Sequence, residues 1–469
     1  MTIRDLARLS AIAIAALSIT CGTARAAARD AVGEQTWIVA SDIHLDPFKR
    51  GSGPSLFGSD TNLPLFRSML AEMKREAPNP SLVLLPGDFL AHNFGRLVRA
   101  RDDAGSADDA GVRTMRLVAS AFGRTFPRAR FAIALGNNDT PCGDYRSALG
   151  SPYQAAIARA WAPLVDRGGA APNFVASFTR TGSYVARLPV RGMRLIVIDD
   201  VLFSAEYLGN CGDGGAHAAV RQSTWLEELL AATPPDERNV VMMHIPPGYD
   251  AMTTQRTQGF VPWPFLRGNS GARLATILGA PKNRVAYAVA GHAHRFDFRL
   301  DGGVPVLVFG AISPVYHNNP AFYALRVRAD GSLRDIDTYA FDEWTQEWQP
   351  PRSFDAKWRV PQIDATALAT VHARLEDDAA MRHLWDAASS GWPSNWHEAW
   401  GMWGTSWRIP WCAQAALGDG FARCAGLERR AALFRAALIA ALVCILALAA
   451  AVGVIIWRAL RRRALLRQS

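Results

Sequence analysis

The chain has 469 residues, 49% of them hydrophobic and 20% charged, a globular balance with length for one large domain or two smaller ones. Its net charge of +9 does not point to nucleic acid. Eight arginines lie between Arg429 and Arg467, so the rest of the chain is close to neutral and no nucleic-acid-binding patch is expected.

Residues 1–27 read as a signal peptide: Arg4 and Arg8 come first, then the apolar stretch Leu9 to Ile19, then a small-x-small cleavage site at Ala24-Arg25-Ala26. Beyond it, short apolar runs alternate with amphipathic stretches. The expected strands are Thr36–Ala40, Ser81–Leu85, Phe131–Leu135, Arg194–Ile198, Asn239–Met243, Val285–Ala290, Val304–Phe309 and Phe322–Val327. Most are continuously apolar, as in strands buried on both faces.

Pro64 to Glu76 is expected to be a helix with Phe66, Met69, Leu70 and Met73 on one face. Thr224-Trp225-Leu226-Glu227 resembles a capping box opening a helix to Ala231. Residues 100–110 read as an acidic loop, and residues 345–363, with Pro350, Pro351 and Pro361, as a connector. The alternation predicts an α/β layered domain over 34–345. Residues 364–430 read as a helical segment carrying Trp385, Trp392, Trp396, Trp400, Trp403, Trp407 and Trp411, either a cap packed on the main domain or rings resting at a membrane interface.

Ala436 to Trp457 is an uninterrupted apolar run whose helix rises about 33 Å, enough to span a bilayer. Arg458, Arg461, Arg462, Arg463 and Arg467 follow it. The positive-inside rule puts the tail 458–469 in the cytoplasm and residues 28–435 outside. Arg429, Arg430 and Arg435 oppose that orientation, and the leader supports it. Cys142, Cys211, Cys412 and Cys424 then lie in an oxidising compartment, where an even number fits two disulfides. Four cysteines allow three pairings, of which Cys142–Cys211 with Cys412–Cys424 is favoured. CxxC and CxxH spacings are absent, which argues against structural zinc.

Five segments place metal-type ligands at predicted strand ends: Ser41-Asp42-Ile43-His44, Pro86-Gly87-Asp88, Gly136-Asn137-Asn138-Asp139, Met243-His244-Ile245-Pro246-Pro247 and Gly291-His292-Ala293-His294. Singly each is weak, since an Asp or His at a strand end is usually a cap or a hydrogen-bonded structural residue. Together they put seven ligand-type side chains on one sheet edge, where α/β folds build their sites. Carboxylate, imidazole and amide donors suit zinc, manganese or iron.

The order D-x-H, GD, GN-x-D, H, GHxH resembles the calcineurin-like metallophosphoesterase superfamily. Ser41 to Pro47, Gly87 to His92, His244 to Gly248 and Asn319-Pro320-Ala321-Phe322 look like its acid sphingomyelinase-like phosphodiesterase branch. The resemblance implies a layered αββα sandwich with a small helical C-terminal cap, and a phosphoric-ester hydrolase acting outside the cytoplasm. It implies two divalent metal ions, the first held by Asp42, His44 and His294 and the second by Asn137, His244 and His292, with Asp88 bridging. The implied chemistry is attack on phosphorus by a hydroxide shared between the ions.

The superfamily usually has histidine where this chain has Asn138. Asparagine can donate a hydrogen bond to phosphate but cannot deliver a proton at neutral pH. His92, four residues after Asp88, matches a second histidine of the branch and becomes the candidate general acid; the plainer reading is that it packs or binds phosphate. Similar asparagine-containing loops in endopolyphosphatase-like relatives keep polyphosphate or nucleotide anhydrides open as substrates. A non-catalytic metal-bearing envelope protein and an interaction module built on the Trp-rich segment are the readings from other classes.

Overall fold

The computed structural model describes residues 33–211, 217–257, 261–394, 402–404 and 406–465. The expected leader therefore lies outside the described residues, as do Trp396 and Trp400.

Two sheets form the body. One orders β12 (Glu347–Trp348), β11 (Leu333–Asp342), β10 (Ala321–Val327), β1 (Gln35–Val39), β2 (Leu82–Leu85) and β3 (Arg130–Ile133), with β13 (Arg352–Ser353) beside β11. The other orders β4 (Tyr184–Arg187), β5 (Met193–Val197), β6 (Arg238–Met242), β7 (Val285–Ala290), β9 (Val306–Val308) and β8 (Asp297–Arg299). Strands β1, β2 and β3 run parallel, as do β5, β6, β7 and β9. All eight predicted strands are present.

The period-2 rule places the second sheet in the middle of the sandwich. Leu195, Val197, Val240 and Met242 join the first sheet's Trp37, Val39, Leu82 and Leu84, which share one face by register, in the main core. Their neighbours Ile196, Ile198, Val241 and Met243 join Leu226, Leu230, Leu274 and Leu278 of the outer helices Ala218–Ala231 and Ser270–Gly279. On the far side, the helices Leu63–Glu76 and Ala107–Thr125 supply Phe66, Met69, Val118 and Phe122. The result is the layered α/β fold expected.

Three local readings change. The helix Ala218–Ala231 begins before Thr224, because Ala218, Gln222, Leu226 and Leu230 form one buried stripe at i, i+4 spacing, so the supposed capping box lies inside it. Part of the acidic 100–110 stretch is a helix start: Ser106 accepts from the Asp109 amide at 3.1 Å, and Asp108 and Asp109 sit in the first turn, where the helix dipole favours them. The 345–363 connector contains β12, β13 and the short helix Phe354–Trp358.

The segment after 364 packs on the body. Trp385 is fully buried against Phe296, Phe298 and Trp358, and Trp403 is buried beside it. Trp411 stacks on His372 at 4.5 Å. Among the described tryptophans of this segment the cap reading therefore holds. The disulfides Cys142–Cys211 and Cys412–Cys424 form as favoured. The last helix, Leu427–Leu465, contains a stretch, Leu433–Arg458, long and apolar enough to cross a membrane, and none of that stretch is buried in the body.

Candidate metal centre

Each of the five segments follows the C-terminal end of a parallel strand: Asp42 and His44 follow β1, Asp88 follows β2, Asn137 and Asn138 follow β3, His244 follows β6, and His292 and His294 follow β7. The chain turns abruptly to bring them inward. Asp42, His44, Asp88, His292 and His294 all have φ between 43° and 69°, the left-handed region that costs a non-glycine residue free energy. Gly136 is required at its position, since a Cβ there would stand 2.1 Å from Asp88 Oδ1. Asp42, His44, Asp88, Asn137, Asn138, His244 and His294 are buried, and His292 is partly so.

Buried carboxylates pin the turns. Asp139 accepts four amides, from Asp88 (3.0 Å), Phe89 (2.7 Å), Leu90 (3.2 Å) and Gly136 (2.8 Å). Asp200 accepts the amides of His244 (3.0 Å) and Ile245 (3.0 Å). Asp42 takes the His292 amide on both oxygens at 3.0 Å, and the Asn138 amide donates to Asp88 Oδ1 at 2.8 Å. The sequence reading gave Asp139 no role and missed Asp200. The available signal for Asp200 was the same as for the ligands, an Asp directly after an apolar strand.

The ligand atoms converge. His44 Nδ1 lies 3.1 Å from the Leu90 carbonyl and His244 Nδ1 lies 2.8 Å from the Pro86 carbonyl, contacts that require N–H at Nδ1. In the neutral rings this leaves the Nε2 lone pairs pointing into the site. His244 Nε2 is 3.0 Å from Asn137 Oδ1 and 3.3 Å from Asp88 Oδ2. His44 Nε2 is 3.4 Å from Asp88 Oδ2 and 3.0 Å from His294 Nε2, and His294 Nε2 is 3.6 Å from Asp42 Oδ1. Acceptors facing acceptors repel unless a proton or cation lies among them, so the donor set fits divalent ions. Asp88 with His244 and His292, and Asp42 with His44 and Asp88, form two groups of mutually close ligand atoms that share Asp88. His44, His92 and His294 form a third.

The electrostatics describe the same strain. Burial first, then the Asp88 charge, pushes the Asp42 carboxyl up to about 7 against the pull of His244. Burial would lift Asp88 too, but the charge and hydrogen bond of His244 and the Asn138 amide hold it below the ordinary range. Burial opposes a charge on His244, yet Asp88, Asp42 and Asp200 raise it to about 10. Burial and neighbouring imidazoles push His44 and His294 well down, and His292 to about 3. Burial and Asp88 raise Asp139 to about 7. All four of its partners are donors, so only the ionised carboxylate satisfies them, and a cation beside Asp88 would remove much of that push.

His92 stands at the edge. Its ring stacks on His44 at 4.0 Å, and Asp60 takes both its Nδ1 (2.8 Å) and its amide (2.9 Å). The Tyr316 ring meets His294 and His92 edge-on at 4.7 and 5.9 Å. Asn138 Oδ1 accepts from Asn137 at 2.7 Å; Asp144 is close enough to feel the Asn138 amide, but Asn138 Nδ2 closes no hydrogen bond.

A two-sheet sandwich with buried Asp, Asn and His side chains converging on its strand ends offers a site that could hold metal ions. The chain belongs to the Calcineurin-like phosphoesterase family, whose profile matches residues 36–296. It is 24% identical over 321 residues to the Dictyostelium discoideum protein Sphingomyelinase phosphodiesterase D, across 62% of this chain and 65% of that one. Among solved structures it is similar to GAP50, the anchor in the inner membrane complex of Plasmodium, at 11% identity over 73% of this chain and 95% of that one, TM-score 0.38. It is also similar to a 5'-nucleotidase precursor from Thermus thermophilus, at 15% identity over 73% and 58%, TM-score 0.33.

Proposed function

We propose that this chain is a membrane-anchored phosphodiesterase that works outside the cytoplasm with two divalent ions at the site. Asp42, His44 and His294 hold one ion, Asn137, His244 and His292 the other, and Asp88 bridges them. The observation that carries the reading is the convergence of acceptor atoms, His244 Nε2 on Asn137 Oδ1 and Asp88 Oδ2 at 3.0 and 3.3 Å, which only positive charge can reconcile.

Ions held here would supply Lewis-acid charge to a phosphoryl group and lower the pKa of water. The chain's own groups do the rest. Asn138 Nδ2, a buried donor that closes no hydrogen bond and has Asp144 nearby, would donate to a phosphoryl oxygen. His92, its Nδ1 taken by Asp60, is oriented to bring a proton on Nε2 to the departing oxygen. Asp60 and Asp144 at the edge favour a diester over a polyanionic chain such as polyphosphate. The arginine-rich tail and the two disulfides support an extracytoplasmic body.

The test is metal-dependent hydrolysis of bis(p-nitrophenyl) phosphate by the full chain in detergent, with zinc and with manganese. Asp88→Asn should abolish it. Turnover equal to wild type in that variant, or a wild type that binds metal and hydrolyses no ester, refutes the proposal.

A further inference from the structure

The anchor helix does not leave the body at an arbitrary place. Leu427, its first residue, is 2% exposed, packed in a cluster with Ala251, Ile409 and Phe421 that the Cys412–Cys424 disulfide closes. Tyr249 stacks on Phe421 at 3.9 Å, and its hydroxyl donates to the Gly418 carbonyl. Tyr249 is five residues beyond His244, at most about 17 Å of extended chain.

A helix rises 1.5 Å per residue, so Leu433, where the apolar span begins, is about 9 Å from Leu427. The polar layer of a bilayer is about 5–7 Å deep on each side. The cluster holding Tyr249 and Ala251 is therefore kept within a few ångströms of the headgroups, whatever the tilt of the helix.

The surface continuous with that cluster carries exposed apolar side chains. The Asp250 amide donates to the Trp263 carbonyl at 2.8 Å, and Tyr249 bridges Pro264. The Ala205 amide donates to the Phe265 carbonyl at 2.9 Å, and Trp263 Nε1 donates to Glu206 at 3.3 Å. Two neighbouring segments thus present Leu208 and, on the other, Val261 and Trp263 outward, 62%, 49% and 37% exposed. Arg146 reaches the Leu208 carbonyl at 3.2 Å, a cation beside the patch. On the inner side of the same platform, Phe265 meets the His292 ring at 5.2 Å. Tryptophan and arginine around aliphatic side chains are what an interfacial contact requires.

We propose that Leu208, Val261 and Trp263 rest on the bilayer that holds the chain's own C-terminal helix, so that the metal site opens beside the headgroup layer. The contact stands independently of the reaction; only its consequence, that a membrane-embedded phosphodiester is the preferred substrate, rests on the reading above.

The experiment uses the full chain reconstituted in phosphatidylcholine vesicles, with and without bromine on the acyl chains. Brominated lipid should quench wild-type fluorescence more than that of Trp263→Phe, the difference being the Trp263 contribution. Equal quenching in the two overturns the contact, and this readout needs no enzymatic activity. In the second arm, Leu208→Glu with Val261→Glu should lower turnover of a vesicle-embedded phosphodiester by about tenfold or more, from the lost apolar burial. Turnover of bis(p-nitrophenyl) phosphate should stay within about twofold. An equal change on both substrates overturns the consequence for substrate. A wild type inert on both refutes the phosphodiesterase reading and leaves the quenching result to decide the contact.

Discussion

Asp139 is the sharpest place to test the site, because it holds the turns and stands outside the proposed ligand set. Its Oδ1 accepts the Phe89 and Leu90 amides and its Oδ2 those of Asp88 and Gly136. Asp139→Asn keeps an oxygen for one pair and turns an NH2 toward two N–H donors. Two hydrogen bonds to a charged acceptor are lost, each worth about 1.5–3 kcal/mol, for a cost of about 3–6 kcal/mol. Unfolding entropy near 2.1 cal/mol/K per residue over a body of roughly 400 residues converts this to a fall in Tm of about 4–7 °C. The loops carrying Asp88 and Asn137 should loosen with it, so the second ion should be lost first. The assay is thermal unfolding in detergent with metal content by mass spectrometry on the same samples. Asp88→Asn is the control, which should lose metal with a smaller change in the Tm of chelated protein. Wild-type Tm and full metal content in Asp139→Asn would refute the account of how the site is held.

His92→Ala should lower turnover of a diester with an alkyl leaving group by ~10²–10⁴ while leaving metal content intact; a variant that loses one ion instead makes His92 a ligand with His44 and His294. Chelation should lower Tm, by the equivalent of about 4 kcal/mol when free metal had stood at a thousand times its Kd, checked by melts with and without chelator. Glu343 is 5% exposed, and burial lifts its carboxyl from 4.5 to about 9. The native state therefore holds a proton that the unfolded chain lacks between those values, and this stabilisation is full below pH 4.5 and lost as pH rises through about 9. Glu343→Gln should flatten the decline, with a higher Tm than wild type at pH 9 in a pH series. Deleting residues 380–411 should abolish soluble-substrate turnover, because Ser389 and Ser390 carbonyls take the Phe296 and Asn319 amides at 2.9 Å and the Ser390 hydroxyl takes Arg295, next to His294. The deletion then cannot separate a Trp-rich interaction module from the body that carries the site.

The strands that carry the ligands were legible because each is buried on both faces and reads as an unbroken apolar run. Strand β11 was not, because it hides charge. Asp337 pairs with Arg326 at 3.1 Å, and Asp335 accepts the Ser353 hydroxyl at 2.8 Å and the Asp355 amide at 2.9 Å. Partners 11 to 20 residues away convert apparent loop composition into a buried strand, and no local pattern announces them. Strand β4, Tyr184-Val185-Ala186-Arg187, and strand β8, Asp297-Phe298-Arg299, lack an unbroken apolar run, and β8 buries its charges as an Arg299–Asp297 pair. The seven proposed ligand positions read as a set in the sequence, and the structure brings them together at one sheet edge. The residues that aim them were not, since a carboxylate capping backbone amides, as Asp139 and Asp200 do, has the same sequence appearance as any turn aspartate.

The left-handed backbone at five proposed ligands sharpens that distinction. A cap or a packed histidine gains nothing from φ near 50° that a glycine or asparagine would not supply more cheaply. Here Asp42, His44, Asp88, His292 and His294 all adopt it, and carboxylates and amides from neighbouring strands hold several of those turns in place. Such backbone persists only where the surroundings over-determine it. Asp88→Gly should relax its turn, keep Tm near that of chelated wild type and still eliminate hydrolysis. If the glycine variant were as unstable as Asp139→Asn, the Asp88 side chain would be holding the fold, and its assignment to a metal would lose its main support.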